Sequence, residues 1–441
     1  MPDRSLAAAV AAPTSSGDTA WLLAAAALVL IMAPGLAFFY GGMVRSKSVL
    51  NMMMMVFGAL AVVMVVWVLV GYSLAFGDDL GGGLIGDPRQ YAGLRGLLEP
   101  ASDATYPPLL FVAFQGLFAV ITVGLIAGAI ADRTRFGTWL VFAALWTVLV
   151  YAPVAHWIFA VDGDGRTGGW LVNRLGALDF AGGTAVEINS GAAGLAAAVV
   201  LGRRIGFGRD PMKPHNLTLV MIGAGLLWFG WFGFNAGSAL GASNTAAIAF
   251  INTLLAGCMG MLAWILVERI RDGHATTFGA ASGVVSGLVA ITPSCGSVTP
   301  VGSLLVGLAA GSVCALAVGL KYLFKYDDSL DVVGVHLVGG LVGTILIGLL
   351  ASSSVVGVDG LLYGGGVDQL GKQLVAAGAT LAYSFTATAI LVYLLNRTLG
   401  FRIDPEHEAA GVDQVIHAET AYDLHAADGA RPHFGHGTGV L

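Results

Sequence analysis

The sequence predicts an all-α integral membrane protein with about eleven transmembrane helices: a five-plus-five inverted repeat and one extra helix. Three observations point there. Hydrophobic residues make up 56% of the 441-residue chain and charged residues only 11%, too little charge to cover a soluble surface of that size. Apolar stretches near the ~20 residues that cross a bilayer recur along the chain. The basic residues alternate from loop to loop, which assigns a side to each.

The stretches run from Trp21 to Gly42, Leu50 to Phe76, Leu109 to Ala131, Trp139 to Phe159 and Thr184 to Leu201. They resume from Leu217 to Leu240, Thr245 to Val267, Phe278 to Ile291, Val301 to Tyr322, Val332 to Leu350 and Leu374 to Leu395. Of the 21 Lys and Arg residues, 15 fall on one side, among them Arg45, Lys47, Arg133, Arg135, Arg203, Arg204, Arg269, Arg271, Lys321 and Lys325. The positive-inside rule makes that side cytoplasmic, so the N-terminus lies outside, the C-terminus inside, and the span count is odd. The domains expected are a tail or weak signal peptide (1–18), a first five-helix half (19–203) and a second (204–351). An outer loop with the eleventh helix (352–400) and a cytoplasmic tail (401–441) follow. The 64 glycines, about twice the usual share, suit helices that cross closely in lipid.

Two lone ionisable residues occupy matching places. Asp179 is followed eight positions later by Glu187, and Asp328 eight positions later by His336. Ionisable groups two turns inside an apolar helix mark ion or proton paths. Their duplication suggests two related halves with a site between them. If Glu187 and His336 meet, they form an ion pair or share one proton and titrate as a unit; the plainer reading is a hydrogen bond holding two helices together. Asp179 and Asp331 stand at helix N-termini, where a carboxylate satisfies free backbone N–H groups; capping accounts for Asp331 and Asp328 as well as function does, and Asp179, just before Gly182-Gly183-Thr184, is also a candidate cap that shapes a pore wall. Aromatics crowd Trp228 to Phe234, with Phe114 and Phe118 in the third span. Most would be packing or belt residues, although aromatic faces also attract cations.

Other chemistries lack support. Gly81, Gly83 and Gly86 fit G-x-G-x-x-G without a strand–turn–helix setting. Cys258, Cys295 and Cys314 give no disulfide framework. The tail histidines (His407, His417, His425, His433 and His436) have no metal-ligand spacing. The sequence therefore suggests no enzyme, cofactor, metal site or nucleic-acid partner.

Several long motifs in order now identify a resemblance. Ala33-Pro-Gly-Leu-Ala-Phe-Phe-Tyr-Gly-Gly42, Phe114-Gln-Gly-Leu-Phe118 through Gly124, Leu178-Asp-Phe-Ala-Gly-Gly183, Trp228 to Ser238, Ile291-Thr-Pro293 and Asp331 to His336 resemble the Amt/Mep/Rh ammonium transporter family, best its bacterial-type Amt branch. The resemblance implies a homotrimer in the cell's inner (plasma) membrane, with one pore per subunit. It implies that Phe118 and Phe234 gate the outer mouth, with Trp231 beside them and Ser238 at the outer ammonium site. Thr292 would be pore-proximal, Asp179 would support recruitment, and His336 would be the second of a twin-histidine pair. Ammonium or ammonia is the expected cargo, methylammonium an analogue, and a PII-type nitrogen regulatory protein the partner of the cytoplasmic tail. An ammonium sensor on the same fold is the other reading.

Two departures stand out. Glu187 replaces the first twin histidine and puts a potential anion in place of a neutral ring. Phe159 stands where the family often has Trp, so the cation–π face at the mouth should be weaker, with Trp157 or Trp170 as candidates to compensate.

Overall fold

A computed structural model describes residues 14–99, 104–163 and 166–422. The expected parts of the N-terminal tail and the histidines at 425, 433 and 436 lie outside these. Among the described residues, ten helices are long and apolar enough to cross a membrane, and an eleventh apolar helix is shorter. In chain order they are α1 (Ser16–Met43), α2 (Val49–Phe76), α3 (Pro108–Ala129), α4 (Phe136–Phe159), α5 (Gly183–Leu201) and α6 (Leu217–Gly237), then α7 (Asn244–Asp272), α8 (Thr277–Ile291), α9 (Pro300–Phe324), α10 (Val333–Leu350) and α11 (Asp368–Thr398). The protein is thus a multi-pass membrane protein. Helix α1 begins inside the expected tail, because Ser15 accepts from the Asp18 N–H and caps it.

Helices α1 and α6 open the two halves and pack together. A methyl group on Gly223 would lie 2.3 Å from the Phe39 nitrogen, and one on Gly42 2.6 Å from the Asn216 carbonyl. Only glycine allows backbones that close, the small-residue packing that replaces hydrophobic attraction in lipid. Helix α3 is among the most enclosed, with residues 114–129 all buried.

On the face expected to be cytoplasmic, buried charges tie the halves together. Arg204 reaches Asp327 at 2.8 Å and Asp132 at 3.0 Å, and Arg45 also reaches Asp132. Burial pushes the Asp327 carboxyl up, but the Arg204 hydrogen bonds and the Arg133 and Arg204 charges outweigh it, so it sits below its ordinary value. The tail docks on the same face. Asp413 accepts the Leu50 and Asn51 N–H groups, capping α2, for which Ser48 supplies no side-chain cap. Glu408 accepts from the Ile205 N–H and pairs with Arg402.

Candidate functional site

The two halves each bring a carboxylate to the start of a helix. Asp179 Oδ1 accepts the Gly182 and Gly183 N–H groups at 2.7 Å each, and Oδ2 accepts the Thr184 N–H at 2.7 Å and the Thr184 hydroxyl. Asp328 accepts the Val332 and Val333 N–H groups at 3.1 and 2.7 Å. Each cap is followed by a π-helical turn, Gly183–Ile188 in α5 and Val333–Leu337 in α10. Widening a helix by one residue per turn re-aims side chains and is frequent at functional sites. Each turn carries one titratable residue. Asp331 is not a cap: its backbone is left-handed (φ 64°) and its carboxylate pairs with Lys321 at 2.7 Å.

Glu187 and His336 meet. His336 Nδ1 lies 2.7 Å from Glu187 Oε2, and the residues are 3% and 1% exposed. Two glycines make the approach possible. A methyl group on Gly191 would sit 2.4 Å from the Leu337 nitrogen, and one on Gly340 2.8 Å from the Glu187 Cβ.

Toward the other end of the bundle, Phe118 and Phe234 stack with ring centroids 3.9 Å apart at 14°. Both rings are buried, and at that separation nothing fits between them. Phe159 meets Phe118 edge-on at 6.4 Å, and Trp231 leans on Phe234 at 5.9 Å. Trp231 is held by its indole N–H, which donates to Thr292 Oγ1 at 2.8 Å; that hydroxyl donates on to the Leu288 carbonyl. Above the rings lies a chamber of about 280 Å³, lined by Phe118, Phe159, Asp179, Ser238 and Gln115, among others. The Ser238 hydroxyl donates to the Phe234 carbonyl at 2.8 Å, so its lone pairs are left to accept. The chamber thus offers aromatic faces and hydrogen-bond acceptors, the combination that suits a small cation.

These features, in the order found along one chain, fit one family. Its model, the Ammonium Transporter Family, matches residues 20–422. An ammonium transporter of Mycobacterium tuberculosis is 56% identical over 438 residues, covering 94% of this chain and 92% of its own. The chain belongs to the ammonium transporter family. Its fold is also that of solved members. Saccharomyces cerevisiae Mep2 aligns with a TM-score of 0.82 at 36% identity, over 89% of this chain and 88% of its own. A sensor Amt protein aligns with a TM-score of 0.84 at 29% identity, over 91% and 98%.

Within this ammonium transporter fold, two tryptophans suggested by the sequence stand away from the chamber. Trp157 donates to the Leu84 carbonyl at 2.8 Å and packs on Tyr383, and Trp170 packs against Trp157. Neither lines the chamber, whose aromatic walls are Phe111, Phe118, Phe159 and Phe180. The sequence reading passed over Gln115. Its signal was available: a lone amide in an apolar span, one turn before Phe118 and therefore on the same face.

Proposed function

We propose that this chain is an ammonium transporter of the cell's inner (plasma) membrane, with its N-terminus outside. It works as a homotrimer with one conduit per subunit. The observation that carries this reading is the succession of an acceptor-lined aromatic chamber, a stacked ring pair and a buried acid–imidazole pair where the halves cross.

NH4+ enters the outer chamber. Phe159 and Phe118 provide cation–π attraction, strengthened as water is excluded, Trp231 braces the Phe234 ring, and the Ser238 hydroxyl accepts an N–H. Binding stays weak enough for release. Asp179 shapes the chamber wall through its cap, and its charge adds to the attraction. The closed rings of Phe118 and Phe234 exclude a hydrated ion, and a bare cation beyond them is costly. The cargo therefore gives up a proton to water on the outer side of the chamber and passes the rings as ammonia. It then meets Glu187 and His336. With the carboxylate ionised, His336 donates through Nδ1, which leaves Nε2 as a proton acceptor. The pair can thus take up and relay a proton with or after the ammonia. The docked tail, held by Asp413 and Glu408, offers a cytoplasmic face to a PII-type regulator.

Charge movement on solid-supported membranes tests the reading. Purified protein in liposomes receives jumps of ammonium, methylammonium or potassium. Ammonium and methylammonium should evoke protein-dependent currents or luminal pH changes, and potassium none. Absence of both signals with ammonium overturns transport and favours the sensor reading, which likeness to a sensor Amt protein keeps in view.

A further inference from the structure

Helix α11 follows both five-helix halves, yet its first turns hold a wall of the chamber. They carry Gln369 and Gln373, 4% and 0% exposed. A carboxamide offers two donors and two lone pairs, and Gln373 uses all four. Its Oε1 accepts the Leu178 N–H at 2.8 Å and a Gln369 side-chain N–H at 3.0 Å. Its Nε2 donates to the Leu178 carbonyl at 2.7 Å and to the Thr344 carbonyl of α10 at 3.2 Å. Both backbone groups of Leu178 thus end on one side chain, as they would on a neighbouring strand. Two residues on, the Phe180 N–H donates to the Pro293 carbonyl at 3.0 Å. Asp179 stands between these anchors, and Ala177, Leu178, Asp179 and Phe180 all line the chamber. Gln373 itself does not.

The second half has an anchor at the same place. Leu178 immediately precedes the capping Asp179, and Asp327 immediately precedes the capping Asp328. The Asp327 carbonyl is also held by a buried side chain, with Arg133 Nη2 donating to it at 2.6 Å. The two anchors differ in charge. Arg133 stands among the buried ion pairs of Arg204 with Asp132 and Asp327. A guanidinium beside the chamber would instead repel a cation held there, strongly so in a wall of low dielectric. The Gln373 amide grips the same backbone group without a charge.

We propose that Gln373 is a positioning residue for ammonium entry: through Leu178 it sets where the Asp179 carboxylate and the Phe180 ring stand in the chamber wall. The proposal rests on the transport reading.

The test compares the parent, Gln373→Leu and Ser384→Ala for ammonium flux in the same liposomes and for amide hydrogen exchange. Ser384 lies further along α11 and donates to the Asn189 carbonyl at 2.7 Å, so its loss removes a buried bond between α11 and α5 without touching Leu178. Gln373→Leu should raise the half-saturating ammonium concentration about five- to tenfold while maximal flux stays within about twofold, the pattern of weakened binding. Backbone amides of residues 176–181 should exchange faster in it. Ser384→Ala should match the parent in both respects. Should Gln373→Leu fail to assemble, Gln369→Leu takes its place; it removes the side-chain bond to Gln373 and the longer one to the Gly176 carbonyl, and the same changes should follow at about two- to threefold. An unchanged half-saturating concentration, a rise equalled by Ser384→Ala, or unaltered exchange at 176–181 overturns the role. So does a fall in maximal flux alone, which would make Gln373 a brace for α10. Failure of the parent to move ammonium would instead refute transport itself.

Discussion

Asp179 can be separated into a charge, proposed above to attract cations, and a cap that builds α5. The structure gives the cap a size. Three backbone N–H groups at 2.7 Å each and the Thr184 hydroxyl end on this single carboxylate, with the Ala185 N–H further off at 3.4 Å. An ordinary helix cap is worth about 0.5–2 kcal/mol for one bond, and a buried donor left unpaired costs about 1–3 kcal/mol. Asp179→Ala strands all of them at the edge of a half-buried chamber, where water can reach some. A loss of roughly 4 kcal/mol follows, within about 3–6 kcal/mol. Asp179→Asn keeps an oxygen toward Gly182 and Gly183 but sets an NH2 against the Thr184 donors, a loss of about 1–2 kcal/mol. At roughly 1–2 °C per kcal/mol for a chain this long, extended from smaller domains, the Ala variant should melt about 4–8 °C below the parent and the Asn variant between them. The assay is thermal unfolding of detergent-purified protein followed by size-exclusion fluorescence, with flux measured on the surviving fraction. A charge-only role predicts equal flux loss in both variants and unchanged melting. An Ala variant that melts with the parent refutes the cap argument.

Four further outcomes are expected. Glu187→His and Glu187→Gln should each change the dependence of transport current on pH between about 5 and 8, the window set by the ordinary imidazole value near 6.5; two profiles identical to the parent's would show that the carboxylate takes no part. Phe159→Trp should lower the half-saturating ammonium concentration by about two- to fivefold, the equivalent of about 0.5–1 kcal/mol of added cation–π attraction, and an unchanged value removes Phe159 from the site. Gly340→Ala must move Glu187 away from His336, so its flux should fall severalfold even in protein that still elutes as a folded assembly, and parental flux would contradict the crossing argument. The Asp327 carboxyl lies below its ordinary value, so its contribution to stability is fully present above the unfolded value of about 4 and is lost as pH falls through the lower folded value. Melting temperature should therefore fall below about pH 4 in the parent and less steeply in Asp327→Asn.

How much of this was legible follows from what carries each feature. The spans could be read because lipid forbids charge over some twenty residues, and that constraint is written in composition. Glu187 and His336 could be paired because each is a lone ionisable residue at one offset from an aspartate. The direction of a side chain is another matter. Asp331 and Asp328 lie three positions apart near the same helix start, and the left-handed backbone at Asp331 is what turns it to Lys321. Trp157 and Trp170 are neighbours of Phe159 in sequence, yet the loop around Leu84 takes the Trp157 indole elsewhere. Neither outcome has a local signature. Gln115 had one, but an amide in an apolar span becomes meaningful only when its partners can be counted.

The agreement between the two halves goes deeper than the pair that drew attention to it. Counted from Asp179 and from Asp328, the cap reaches the fourth and fifth residues, and the titratable group is the eighth. In both halves the twelfth residue is glycine, Gly191 in one and Gly340 in the other. Each packs against the ninth residue of the opposite half: Gly191 on Leu337, Gly340 on Ile188. A reciprocal contact at equal offsets is what a two-fold relation between halves imposes, as at an isologous interface. It places the symmetry axis through the crossing of α5 and α10, beside Glu187 and His336. Had both eighth positions held the same residue, the site would read alike from either side. Here they differ, so the axis passes between an acid and a base, and the two sides of the crossing are chemically distinct at the point where the halves meet.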